Sequence, residues 1–147
     1  MSLKSTEISH SHEETKALAG ALTKELKPPW VVALFGDLGS GKTTFVQGFI
    51  SALAGGDKAR VKSPTFALHH AYQTSPPAHH LDLYRLKNEV EIEGLGFMEL
   101  FNDQEALILV EWPDIIAHRL PARTLRILFS EHEDGSRSLQ FVWPKKY

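Results

Sequence analysis

The chain has 147 residues, of which 42% are hydrophobic and 23% charged; this suits one folded domain and excludes a disordered chain. Sixteen basic against 18 acidic side chains leave a net charge of −2, which excludes a broad basic surface gripping nucleic acid by counterion release. With no cysteine, disulfides, thiolate nucleophiles and thiolate zinc sites are excluded as well.

Residues 1–9 are polar and are expected to be flexible, without the apolar core of a signal peptide. No apolar run approaches the ~20 residues that span a bilayer, so a cytoplasmic protein without membrane attachment is expected. Ser11 to Leu26 is predicted as a helix. Ser11 and Glu14 have capping-box spacing, and Ala17, Leu18, Ala21, Leu22 and Leu26 recur at helical intervals. Lys27-Pro28-Pro29 ends it. Trp30 to Phe35 is an unbroken apolar run, the pattern of a strand buried on both faces.

Lys42 to Leu53 has helical spacing and stops at Gly55-Gly56. Phe66 to Tyr72 and His80 to Leu86 are predicted strands on either side of Ser75-Pro76-Pro77. Glu89 to Leu100 is predicted as one or two short helices broken near Gly94 and Gly96. Ala106 to Val110 is a second wholly apolar strand, and Pro113 opposes its continuation. Thr124 to Glu133 and Arg137 to Trp143 form a predicted hairpin around Asp134-Gly135-Ser136.

Gly36 to Thr43 reads GDLGSGKT and matches G-x-x-x-x-G-K-[ST] at every specified position, after a strand and opening a helix. Glycines let successive N–H groups converge on phosphate oxygens without a Cβ in the way, and the following helix adds its own unpaired N–H groups. Leu38, Gly39, Ser40, Gly41, Lys42, Thr43 and Thr44 are the expected nucleotide contacts. Lys42 supplies a cation for the β/γ-phosphates and Thr43 a hard oxygen for Mg2+. Together the elements predict one α/β domain over 1–147, of P-loop NTPase type, with a mixed central sheet flanked by helices.

Two acids stand where the chemistry needs them. Glu111 follows a buried strand at its carboxyl end and reads either as a Walker B acid holding magnesium, directly or through its water, or as a solvated loop acid. Asp82 lies on a strand whose alternation places it with Tyr84, opposite Leu81 and Leu83; it reads either as an acid with a task or as an edge-strand acid facing water. Thr65, in Ser63-Pro64-Thr65-Phe66, occupies the stretch that senses the γ-phosphate in P-loop switches, although a plain proline turn is the simpler reading. Neither His69/His70 nor His79/His80 can chelate one ion as strand neighbours, because adjacent residues point to opposite faces. Trp112 suits the nucleotide's surroundings, a partner surface or, more commonly, the core. There is no N-K-x-D stretch for guanine, and Arg60, Arg85, Arg119, Arg123, Arg126 and Arg137 are scattered rather than gathered into a lid.

The ordered set S-x-E-E-T, G-D-L-G-S-G-K-T-T, V-K-S-P-T-F, H-L-D-L-Y-R-L and V-E-W-P closely resembles the TsaE (YjeE) family over most of the chain. The resemblance implies a compact P-loop ATPase that binds ATP or ADP with Mg2+ and hydrolyses ATP slowly by itself. It implies partnership with a TsaB–TsaD complex that places threonylcarbamoyl on adenosine 37 of tRNA (t6A), without strong tRNA binding by this chain alone. By motif match it assigns catalytic roles to Lys42, Asp82 and Glu111, metal contact to Thr43 and Glu111, a switch role to Thr65, and nucleotide proximity to His12 and Gly135. The competing reading is a small-molecule P-loop kinase, which needs an acceptor pocket and a basic lid.

Overall fold

The computed structural model describes residues 3–57, 61 and 69–145. A seven-stranded sheet runs in the order β1-β7-β6-β2-β5-β4-β3. Its strands are β1 (Thr6–Ser9), β2 (Trp30–Phe35), β3 (His69–Tyr72), β4 (Ala78–Asp82), β5 (Leu107–Glu111), β6 (Thr124–Glu131) and β7 (Arg137–Val142). β2 is central and parallel to both β5 and β6, and β4 is parallel to β5. β3, β7 and β1 each add antiparallel pairs at the flanks, so the sheet is mixed, as expected.

Alternation along the strands divides the core in two. Val32, Leu34, Leu107 and Leu109 face α1 (His12–Thr23) and α2 (Lys42–Ala52), against Leu22, Phe45 and Phe49. Val31, Ile108, Val110 and Leu81 face α3 (Glu89–Gly94), α4 (Phe97–Leu100) and the 3-10 helix Pro113–Arg119. Each fully buried Leu or Phe contributes about 1.5–3 kcal/mol. That is why the two apolar runs occupy the sheet's centre.

Helix α1 begins as its sequence dictates: Ser11 Oγ accepts from Glu14 N at 3.0 Å. Glu14 reaches back one residue further than a capping box requires, its Oε2 accepting from His10 N at 2.6 Å. The helix stops at Thr23 rather than Leu26, as Lys24 and Glu25 N–H groups turn to the carbonyls of Ala21 and Leu22. The expectation that 1–9 is flexible needs correction, since Thr6–Ser9 pairs with β7 in register Thr6↔Gln140 to Ser9↔Arg137. Pairing satisfies backbone groups that the sequence pattern alone left unassigned. β4 ends at Asp82 instead of continuing to Leu86, because Asp82 Oδ1 accepts from Tyr84 N at 2.9 Å and turns the chain.

The α1–α2 contact depends on a missing side chain. A Cβ on Gly48 would lie 2.5 Å from Lys16 Cα and 2.7 Å from its carbonyl oxygen. Gly48→Ala must push the helices apart and is expected to lower stability by about 1–3 kcal/mol. Urea unfolding should show a lower midpoint at an unchanged slope; an unaltered midpoint would contradict this packing.

At the sheet's other flank, His69 Nε2 meets His79 Nδ1 at 2.8 Å. Burial holds both imidazoles below their ordinary value; neighbouring histidines add to this at His69, while Asp103 opposes it at His79. With folded values depressed, the unfolded chain binds more protons. Their contribution to stability is therefore full above about pH 6.5 and is lost as pH falls below it. Thermal midpoints measured from neutral pH downward should fall, and His79→Gln should flatten that slope.

Candidate functional site

The parallel strands β2, β4, β5 and β6 all present their carboxyl ends to one edge, the usual place for ligands in α/β sheets. β2 leaves that edge into Gly36–Gly41, and α2 starts at Lys42. Gly36 has φ +153, and a Cβ there would lie 2.7 Å from Ser40 Oγ and 2.9 Å from Phe129 Cβ, so only glycine lets the loop curl this tightly. Gly41, the residue that caps α2, has φ +106.

A cleft of about 380 Å³ opens over the loop. It is lined by Leu38, Gly39, Gly41, Lys42, Thr43 and Thr44 of the loop and the start of α2, by Asp82, Tyr84, Arg85, Glu111 and Trp112 at and after the ends of β4 and β5, and by His12 and Arg137. Ser40 is buried within the loop itself. Asp82 and Glu111 are direct neighbours across parallel strands, and both are buried. The reading of Asp82 as an exposed edge-strand acid is thereby ruled out, because its side chain is buried and β4 has β5 on one side and β3 on the other. Thr43 Oγ1 donates to Glu111, 3.0 Å from Oε1 and 3.3 Å from Oε2. A hydroxyl and two carboxylates at one strand edge are the hard oxygen donors that Mg2+ takes, so the residues fit that ion.

Lys42 is only 4% exposed. Its Nζ donates to the Gly36 carbonyl and sits 3.4 Å from the centre of the Trp112 ring. Burial lowers its pKa, opposed by the charges of Glu111, Asp82, Asp114 and Asp37. Trp112 is half-buried, lining the cleft while packing against the second core cluster, with its backbone in the left-handed region (φ 56) and its ring 4.9 Å from Tyr84. A bulky residue at positive φ is strained, and here it puts the indole face on the lysine.

Two of the scattered arginines converge. β7 runs antiparallel to β6, so Arg137, its first residue, returns to the carboxyl edge, where its Nη2 donates to Gly39 O at 3.1 Å. Arg85 lines the same cleft. By contrast, Arg119 pairs with Glu89 and Glu93, and Arg126 donates to Ala117 O. β1 ends beside Arg137 and aims α1 at the cleft, so that His12 Nδ1 lies 3.2 Å from Thr44 Oγ1.

Gly135 sits at the β6–β7 turn with φ +86 and is not among the cleft-lining residues; the hairpin enters the cleft through Arg137 instead. Thr65, with the rest of Ser63–Phe66, lies outside the described residues. Sequence reasoning missed His80, whose Nε2 is 2.5 Å from Glu111 Oε2. The available signal was its spacing: His80 is two residues before Asp82 and so shares its strand face.

A glycine-rich loop joining the central strand to a helix, with acids ending two parallel strands beside it, defines a P-loop α/β protein. The crystal structure of Bacillus subtilis YdiB has the same fold, with a TM-score of 0.77 at 33% identity over 95% of this chain and 84% of that one. The chain belongs to the TsaE family: the family model described as threonylcarbamoyl adenosine biosynthesis protein TsaE matches residues 9–139. It is 42% identical over 136 residues to the tRNA threonylcarbamoyladenosine biosynthesis protein TsaE of Rickettsia felis, covering 92% of this chain and 78% of that protein. The protein of the same name from Bacillus subtilis is 41% identical over 131 residues, covering 88% and 80%. Among the described residues no helix is long and apolar enough to cross a membrane.

Proposed function

We propose that this chain binds ATP and ADP with Mg2+ in the cleft and is a slow ATPase serving tRNA threonylcarbamoylation beside a TsaB–TsaD-type complex. The observation that carries the proposal is the meeting of Thr43, Glu111 and Asp82 beside the phosphate-binding loop. The tRNA link comes from the names of the relatives.

The loop's N–H groups and Lys42 take the phosphates, Lys42 leaving the Trp112 face for the β/γ oxygens. Thr43 and Glu111 would hold Mg2+, which would supply neutralisation of the phosphate charge. Asp82, one strand over, accepts a hydrogen bond from the attacking water and orients it toward the γ-phosphate. Arg85 and Arg137 line the same cleft, and their cations would offset negative charge building on the transferred group. Arg137 also spans to Gly39, so it steadies the loop. A net charge of −2 fits a chain that leaves the grip on tRNA to its partners.

ATP turnover by the chain alone, then with the TsaB–TsaD complex of the same cell, tests this. A slow rate alone that rises with the complex is expected. A partner-independent rate with no detectable association would remove the accessory role.

A further inference from the structure

Core positions of an interior strand ordinarily hold apolar side chains, yet β4 buries an imidazole completely at His80. Its Nε2 lies 2.5 Å from Glu111 Oε2, and Glu111 is only 2% exposed. Nδ1 is buried with no hydrogen-bond partner among the described residues. A half-satisfied buried ring costs stability, so packing alone does not account for a histidine here. The contact to the carboxylate does.

Register explains how it reaches. His80 is opposite Leu109, and Asp82 is opposite Glu111, so period-2 alternation sets His80 beneath the carboxylate on the same face of the sheet. Glu111 is then held from two sides. His80 engages Oε2 from the sheet, while Thr43 Oγ1, at the start of α2, is closer to Oε1. A carboxylate only accepts, so the proton of this contact is on Nε2.

We propose that His80 is a positioning residue whose Nε2–H holds Glu111 in the rotamer that turns Oε1 to Thr43, and thereby sets the chain's affinity for Mg2+. The proposal rests on the magnesium-nucleotide reading above. Hydrogen bonds that orient a ligating group are typically worth about 10–100-fold in metal affinity.

The test is calorimetric titration of the full chain with ADP, in EDTA and at graded Mg2+, using two amide variants that differ in reach. The His80→Gln amide nitrogen reaches the place of Nε2; the His80→Asn amide is one methylene shorter and falls short of Glu111. Both should bind ADP in EDTA as the wild type does. His80→Gln should keep the wild-type Mg2+ midpoint, and His80→Asn should need at least about tenfold more Mg2+. A wild-type midpoint in His80→Asn, or an equal shift in both variants, overturns the proposal. If His80→Asn does not fold, His80→Phe, which fills the ring's volume without a donor, takes its place. Thr43→Val separates the two layers. If it abolishes the Mg2+ response while His80→Asn does not, the magnesium reading stands and the His80 proposal falls. If wild-type ADP affinity ignores Mg2+, the magnesium reading fails and takes the proposal with it.

Discussion

Lys42→Ala is expected to remove measurable nucleotide binding, a loss on the order of 100-fold or more. Two charge-assisted contacts to phosphate are together worth ~3–6 kcal/mol, and the loop's backbone N–H groups alone do not replace them. The structure adds a second loss. Nζ of Lys42 donates to the Gly36 carbonyl, so the substitution also removes a tie within the loop that must hold the phosphates. The aromatic face of Trp112 and four nearby acids keep the ammonium in place against the cost of its burial. Phosphate would therefore meet a cation already positioned within the cleft. Arg should not rescue Lys42, because its planar fork does not fit a space shaped for a point charge under an indole. Calorimetric titration with ADP and Mg2+ decides the matter, and affinity in Lys42→Ala close to the wild-type value would overturn the assignment.

Asp82→Ala and Glu111→Ala should behave in the opposite way: binding largely kept, ATP hydrolysis reduced at least about 100-fold. Neither carboxylate belongs to the loop that takes the phosphates, and both end strands beside it. Glu111→Ala should in addition raise the Mg2+ requirement, because Thr43 loses its partner. Asp82→Ala should leave that requirement nearer to wild type. Phosphate release measured at saturating ATP reads the rate, and a Mg2+ titration separates the two acids. Wild-type turnover in both variants would end their catalytic assignment.

Much of this architecture was legible before any coordinates. A buried strand, a glycine-rich turn and an amphipathic helix are each declared by neighbours in the chain, because periodicity and turn chemistry act over a few residues. So the Gly36–Thr43 loop, the strands at its two sides, and Glu111 at a strand end could be read directly. So could the paired helices at Glu89–Gly94 and Phe97–Leu100 and the terminal hairpin. Family resemblance had pointed to His12 as well, and β1 supplies the reason it reaches the cleft.

Strand order and register decided the rest, and these depend on contacts between residues far apart in sequence. Asp82 lies on an interior strand only because β3 pairs along the outer side of β4, and it faces Glu111 only because β4 and β5 are parallel in that register. His69 meets His79 across a hairpin, a pairing invisible when each is judged beside its neighbour in the chain. Arg137 belongs to the cleft because an antiparallel strand must begin where its partner ends, and Gly135 does not because the turn lies beyond that edge. What the amino-acid sequence by itself determined was a glycine-rich loop of the P-loop pattern and the local elements that carry it. Only the tertiary structure brought Thr43, His80, Asp82, Glu111 and Arg137 to one place, because side chains 30 to 100 residues apart meet only once the sheet has chosen its order.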